Sequence, residues 1–463
     1  MNSINNSQQL AQTHLPLAEF TSRRDKFFTQ MPENSIAVFK AASEVTRSND
    51  TEYAFCQNKN FYYLTGFNEP DALLVLIKDK NKDDNKRQKA YLFCRDKDPL
   101  TEIWQGRRIG AEKAKLEYGF DDAFTVEQID DSLVELIKNK TSLLYCQGEK
   151  QNFDLQVMAW LKKVKQAVKQ GAKAPSNLVD CSSIVHELRL IKSDNEIAIM
   201  RQVNNISCGA HQRAMQKAQA GKFEYQIEAE LLHEFVRHGA RHTAYASIVA
   251  GGDNANILHY TDNNDALNHG DLLLIDAGGE LAGYAADITR TFPVNGHFTA
   301  EQKALYELVL NAQNAAINAV KVGNTFAALN VLVNEILTQG LLELGILTGD
   351  INTLIAEKSC KKYFIHGLGH WLGLDVHDVG DYQVNTDKQQ LRPFEVGMVM
   401  TIEPGLYIPL DDDYVDEKWR GIGIRIEDNI LVTDPTINVL GHENLTTSAV
   451  KSVTAIEQAC IKN

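Results

Sequence analysis

The chain is poor in cysteine, with seven in 463 residues, at positions 56, 94, 146, 181, 208, 360 and 460. The number is odd and no two have CxxC spacing, which argues against a disulfide framework and against a cysteine-bound zinc site. A reducing cytoplasm is the expected setting. Long apolar runs are also missing, so no membrane span is expected. The opening stretch, Met1 to Thr13, is polar and lacks the basic-then-apolar order of a secretory leader. An excess of basic charge is absent too: 47 Lys and Arg against 61 Asp and Glu give a net charge of −14. That balance disfavours nucleic acid or an anionic membrane surface as partner. What remains is 44% hydrophobic and 23% charged, an ordinary globular composition. The length predicts two domains.

The pattern along the chain reads as α/β (α+β). Residues 1–16 form an N-terminal arm with no assigned role, residues 17–175 a smaller α/β domain, and residues 176–463 a second domain. Short apolar runs at Ser35–Phe39, Ala72–Lys78, Lys89–Cys94 and Ser142–Cys146 predict strands. Leu17–Met31, Asp130–Lys140 and Phe153–Gln166 predict helices. The charged run from Lys78 to Arg87 reads as a solvated turn, and Lys169 to Ser176 as a linker. Beyond it, two S/T-x-x-E/Q boxes, at Ser193–Glu196 and Thr299–Gln302, predict helix starts. The first helix should run to about Ala218 and the second to about Val322. Further helices are expected at 224–238 and 326–344.

Five polar residues stand where a globular chain normally avoids charge. Asp276 ends the run Leu272–Ile275, Glu403 ends Met398–Ile402, and Glu427 follows Ile422–Ile426. Asp287 and His370 lie in comparable strand-like or Gly-rich segments. Burying one uncompensated carboxylate costs several kcal/mol, and four converging ones would also repel one another. Divalent cations remove both objections, and four oxygen donors with one imidazole suit two hard or borderline ions. Asp271–Ala277 and Tyr284–Val294 predict a hairpin about a Gly278-Gly279 turn, with Asp276 and Asp287 facing each other. Met398–Ile402 and Ile422–Val432 predict a second antiparallel pair carrying Glu403 and Glu427, which suggests an internal two-fold repeat. Strand alternation puts Ile422, Ile424 and Ile426 on one face, with Arg425 and Glu427 on the other.

The stretch His366-Gly367-Leu368-Gly369-His370-Trp371-Leu372-Gly373-Leu374-Asp375-Val376-His377 packs three histidines among glycines that let the backbone bend around a ligand. The spacing is not HExxH, so a helical zincin site is excluded here. This stretch resembles the signature of aminopeptidase P and prolidase, metallopeptidases with the pita-bread fold. Other segments resemble bacterial aminopeptidase P in particular: His186–Arg189, Ile257–Thr261, Ile275–Gly278, Asp287–Gly296 and Ile402–Tyr407, with Glu44–Ser48 and Tyr63–Pro70 in the first domain. The likeness runs from about residue 17 to near the end.

The resemblance implies a catalytic pita-bread domain over 176–463 and an aminopeptidase P N-terminal domain over 17–175. It implies two divalent metal ions, manganese first among them. Asp276 would bind one ion, Asp287 and Glu427 would bridge both, and His370 and Glu403 would bind the other. His259, His366 and His377 match substrate-site histidines, Tyr245 lines the proline pocket, and Arg425 stands beside the site. Trp104 matches a tryptophan reaching a neighbouring subunit's active site in a homotetramer. The implied reaction releases the first residue from peptides with proline second. A metal-bridging hydroxide would attack the scissile carbonyl and Glu403 would relay the proton. Singly, several of these residues have plainer readings: Asp276 begins a turn, Arg425 is a solvated strand residue, Trp104 is core, Tyr245 is packing. Two other functions stay open at this point, a prolidase acting on Xaa-Pro dipeptides and a non-catalytic peptide-binding module.

Overall fold

The computed structural model describes residues 14–80, 88–385 and 387–460. Most of the arm at 1–16, and the charged turn at 78–87 beyond Lys80, lie outside these residues. The chain forms two compact units, residues 15–189 and 190–463.

The first unit is built on a six-stranded mixed sheet. Ser35–Lys40 pairs antiparallel with Leu73–Lys78, which pairs antiparallel with Gln88–Cys94. Asp122–Thr125 adds a parallel edge strand beside Gln88–Cys94. On the other side Ser142–Tyr145 and then Asn177–Asp180 follow in parallel. The central strands are apolar on both faces, and Val38, Val75, Phe93 and Leu143 are buried with Trp160 and Val157 of the helix Gln151–Gln166. Asn177–Asp180 lies after the Lys169–Ser176 stretch yet belongs to this sheet, and the unit runs on through Arg189.

The second unit contains two halves of one design. Each begins with two helices, α1 (Asp194–Lys217) and α2 (Glu224–Arg237), then α3 (Ala300–Ala319) and α4 (Phe326–Glu343). Both predicted capping boxes are formed: Ser193 and Glu196 cap α1, and Thr299 and Gln302 cap α3. Each half then has four strands in a nested set, flanked by others such as Ile248–Gly251 and His442–Asn444. In the first half the nested strands are β1 (Leu272–Asp276), β2 (Gly279–Leu281), β3 (Tyr284–Ala285) and β4 (Thr289–Pro293). In the second they are β5 (Val399–Ile402), β6 (Gly405–Ile408), β7 (Ile422–Arg425) and β8 (Asp428–Val432). The outer strands pair antiparallel, β1 with β4 and β5 with β8, and the inner ones form a hairpin between them.

This nested arrangement corrects two expectations. Asp276 pairs with Thr289 and not with Asp287, and the hairpin turn lies at Ala282-Gly283, both at positive φ. Gly278 is there for space: a Cβ would lie 1.7 Å from the Ala286 carbonyl oxygen. The run Ile422–Val432 is two strands, with Pro404, whose carbonyl accepts from the Ile426 N–H at 3.3 Å, beside the break. Alternation sorts the side chains. Leu273, Ile275, Phe292, Met400, Ile402, Ile424, Ile426 and Ile430 enter the large core with the helices. Asp276, Asp287, Thr289, Thr401, Glu403, Arg425 and Glu427 therefore share the opposite faces.

Candidate metal centre

All four carboxylates sit where an outer strand meets an inner one. Asp276 ends β1, Asp287 lies between β3 and β4, Glu403 between β5 and β6, and Glu427 between β7 and β8. His370 comes from the Gly-rich loop and is tied to β5: its N–H donates to Thr401 Oγ1 at 3.0 Å, and the Thr401 N–H donates to the His370 carbonyl at 2.9 Å. That close approach requires Gly369, whose Cβ would lie 2.0 Å from the Thr401 oxygen. These five residues line one cavity of about 660 Å³ together with Tyr245, His259, His366, His377 and Arg425. Thus the structure brings ten of the eleven predicted site residues together. Trp104 belongs to the first unit, on the helix Pro99–Gln105, and is 87% exposed.

The lone pairs converge in a way that calls for cations. His370 Nδ1–H donates to the Trp371 carbonyl at 2.9 Å, so Nε2 is the nitrogen that faces Asp287 Oδ2 at 3.4 Å and Glu403 Oε1 at 3.6 Å. Tyr245 Oη lies 2.6 Å from both Asp276 Oδ1 and Asp287 Oδ1, and its one hydrogen serves only one of them. Ligand atoms of Asp287, His370 and Glu427 all fall within 4.8 Å of one another. Burial pushes Glu403 up to about 7 and Glu427 well above the usual carboxylate range, with Asp287 adding repulsion to both. Burial would pull His370 down, but Asp287 and Glu403 outweigh it and hold the ring up to about 9. Each shift marks a place where positive charge is wanted, as a proton or as a metal. The donor set, carboxylates with one imidazole, fits divalent ions.

A second layer holds the first in register. Arg425 Nη2 donates to Asp276 Oδ2 at 2.7 Å, Nη1 to Tyr407 Oη at 2.9 Å and Nε to Thr289 Oγ1 at 3.1 Å. Thr289 Oγ1–H donates to Glu427 Oε2 at 2.7 Å, and Thr401 Oγ1–H to Glu403 Oε1 at 3.2 Å. His366 Nδ1–H donates to the Gly367 carbonyl at 2.7 Å, leaving Nε2 to accept from Tyr407 Oη at 2.8 Å. Burial and the nearby Arg425 hold His366 down to about 3, so the ring is neutral. The His377 ring stands edge-on to His370 at 4.3 Å between centroids, and burial lowers its pKa. Sequence reasoning did not single out Thr289, Thr401 or Tyr407. The threonines were detectable, since each lies two residues from a carboxylate on the same strand face.

Comparison with known proteins places the chain in a family. Residues 198–434 match Metallopeptidase family M24, and residues 20–145 match Aminopeptidase P, N-terminal domain. The Xaa-Pro aminopeptidase of Escherichia coli is 46% identical over 439 residues, covering 95% of this chain and 96% of the relative. That of Haemophilus influenzae is 46% identical over 443 residues, covering 96% and 97%. Among solved structures, zinc-substituted E. coli aminopeptidase P in complex with product superposes with a TM-score of 0.92 at 45% identity, covering 96% of this chain and 98% of that one. Proline aminopeptidase P II from Yersinia pestis gives 0.91 at 47% identity, covering 96% and 99%. The chain belongs to metallopeptidase family M24, with the pita-bread catalytic domain and the N-terminal domain of the aminopeptidase P branch.

Proposed function

We propose that this chain is an Xaa-Pro aminopeptidase, a hydrolase releasing the first residue of peptides with proline in second position. The observation that carries the reading is the convergence of Asp276, Asp287, His370, Glu403 and Glu427 on one wall of a cavity also lined by three further histidines. Near full-length identity of 46% to curated Xaa-Pro aminopeptidases supports it, as does a 0.91 TM-score to E. coli aminopeptidase P in complex with substrate. The Xaa-Pro bond is a tertiary amide without N–H, on a rigid ring, so it needs a dedicated site.

Asp276, Asp287, His370, Glu403 and Glu427 would hold two divalent ions, which when bound supply a water of lowered pKa and polarise the scissile carbonyl. Manganese is our choice, supported by a donor set of four carboxylates and one imidazole. Glu403 accepts the proton from the attacking water and returns it to the departing proline nitrogen, a role supported by its place on the cavity lining beside His366, His370 and His377. His259 or His377 donates to the oxygen that gains charge. Neutral His366 orients substrate, and Arg425 fixes Asp276 and offsets its charge at 2.7 Å. Tyr245 lies against the proline ring. A homotetramer in which Trp104 reaches a neighbour's site is supported by the apolar surface of its helix, where Leu100, Ile103 and Trp104 are 73%, 76% and 87% exposed. Among the described residues no helix is long and apolar enough to cross a membrane. A cytoplasmic setting is supported by seven free cysteines. Replacing Glu403 with Ala tests the reading: turnover should vanish even in protein loaded with excess metal, and a near-wild-type rate in the metal-loaded variant would overturn Glu403's role.

A further inference from the structure

The two halves of the catalytic unit hold each other's ligand backbones. Asp287 precedes the start of β4, and no strand partner serves its N–H and C=O. Both go to one side chain of the other half: the Asp287 N–H donates to Asn429 Oδ1 at 3.0 Å, and Asn429 Nδ2 donates to the Asp287 carbonyl. The carboxamide imitates a strand at that point. Glu427 is held reciprocally by the first half. Its N–H donates to the Thr289 carbonyl at 3.1 Å, and its carbonyl accepts from Arg290 Nη1 at 2.6 Å. Asn429 and Arg290 are each fully buried, and each lies two or three residues past the ligand of its own half.

Both clamps are themselves anchored. The Asn429 N–H donates to Thr446 Oγ1 at 3.2 Å. Arg290 Nη2 pairs with Asp428 Oδ1 at 2.6 Å, Nη1 also reaches the Thr289 carbonyl at 2.8 Å, and its other donors go to the Ala449 and Val450 carbonyls. Among the described residues the Asp287 backbone is the only hydrogen-bond partner of the Asn429 side chain, so the carboxamide serves the ligand. A backbone fixed from both sides delivers its carboxylate pre-oriented, and partners of metal ligands typically change metal affinity by about 10–100-fold when removed.

We infer that Asn429, with Arg290 as its counterpart, is a positioning residue that locks Asp287 and Glu427 to each other across the two halves and so sets metal affinity. This rests on the reading that those carboxylates hold metal. The experiment is calorimetric titration of chelator-stripped protein with Mn²⁺, comparing wild type, Asn429→Ala and Tyr306→Phe. The last removes a hydrogen bond from a fully buried side chain, Tyr306 Oη to the partly buried Lys451 carbonyl at 2.7 Å, which touches no ligand. Asn429→Ala should weaken Mn²⁺ about 10–100-fold, while Tyr306→Phe lowers thermal stability and leaves affinity unchanged. Equal affinity in wild type and folded Asn429→Ala, or equal loss in both variants, overturns the inference. Absence of binding in wild type overturns instead the metal reading beneath it. Hydrogen exchange of the wild-type peptide containing Asp287, which requires no variant to fold, gives a second reading. Protection of the Asp287 amide before metal is added is expected, and free exchange in the metal-stripped protein would contradict a clamp made by the chain itself.

Discussion

Lys192→Met removes an ammonium from one of the most enclosed ion pairs of the catalytic unit. Lys192 Nζ lies 3.0 Å from Asp378 Oδ2, and both side chains are 1% exposed. With an effective dielectric near 20, a pair at that distance attracts by about 5.5 kcal/mol. Asp378 has already lost its water, so taking away the ammonium removes part of what compensates that desolvation, against a typical cost of about 3–5 kcal/mol for breaking a buried pair. The Asp375 N–H still donates to Asp378 Oδ1 at 3.4 Å, which favours the lower end, about 3 kcal/mol. The carboxylate has little room to turn away, because a Cβ on Gly373 would already lie 2.1 Å from Asp378 Oδ2. The Asp378 N–H donates to the Trp371 carbonyl at 2.9 Å, closing the loop that carries His377 and follows His370. Activity should therefore fall along with stability. The assay is urea unfolding and peptide hydrolysis for Lys192→Met, Asp378→Asn and the double variant. Removing the carboxylate charge as well should make the double variant more stable than Lys192→Met alone. A loss below about 1 kcal/mol in Lys192→Met, or a double variant no better than it, would refute the reasoning.

Two further outcomes follow from the site's surroundings. Burial lowers His211 to about 4, and its Nε2–H donates to the Ala277 carbonyl at 2.9 Å. The unfolded value is near 6.5, so the unfolded chain takes the proton first and stability drops as pH falls from about 6.5 toward 4. Between pH 7.5 and 5 His211 should account for about 2 kcal/mol of lost stability, and an unchanged urea-derived difference in His211→Gln would sink this account. Gly369→Ala forces the His370 loop off β5, since the new carbon meets backbone at 2.0 Å. It should cost about 1–3 kcal/mol and most of kcat/KM, and wild-type melting and kinetics in that variant would show the close approach to be unimportant.

Much of this was readable before any coordinates. Capping boxes announced α1 and α3 because they are local devices with fixed spacing. The ligands stood out because a carboxylate ending an apolar strand run has no inexpensive structural explanation. The faces of β7 followed from period-two alternation, which needs no tertiary information. The nested strands did not follow. Gly278-Gly279 looked like a turn, but Gly278 is small to admit the Ala286 carbonyl, a contact made only after folding. The break beside Pro404 was in principle legible, since proline is confined to strand edges, starts and bulges. The Asn429 clamp was not legible, because it joins residues 142 apart in sequence and depends on the pseudo-symmetric pairing of the halves.

The central claim is tested most directly by offering the enzyme an Xaa-Pro-Yaa tripeptide and the matching Xaa-Pro dipeptide side by side, with Mn²⁺ and with a chelator. The account predicts release of the first residue from the tripeptide, loss of that activity with the chelator, and an untouched dipeptide. Cleavage of the dipeptide alone would make the enzyme a prolidase, and cleavage of neither in Mn²⁺-loaded protein would contradict the account.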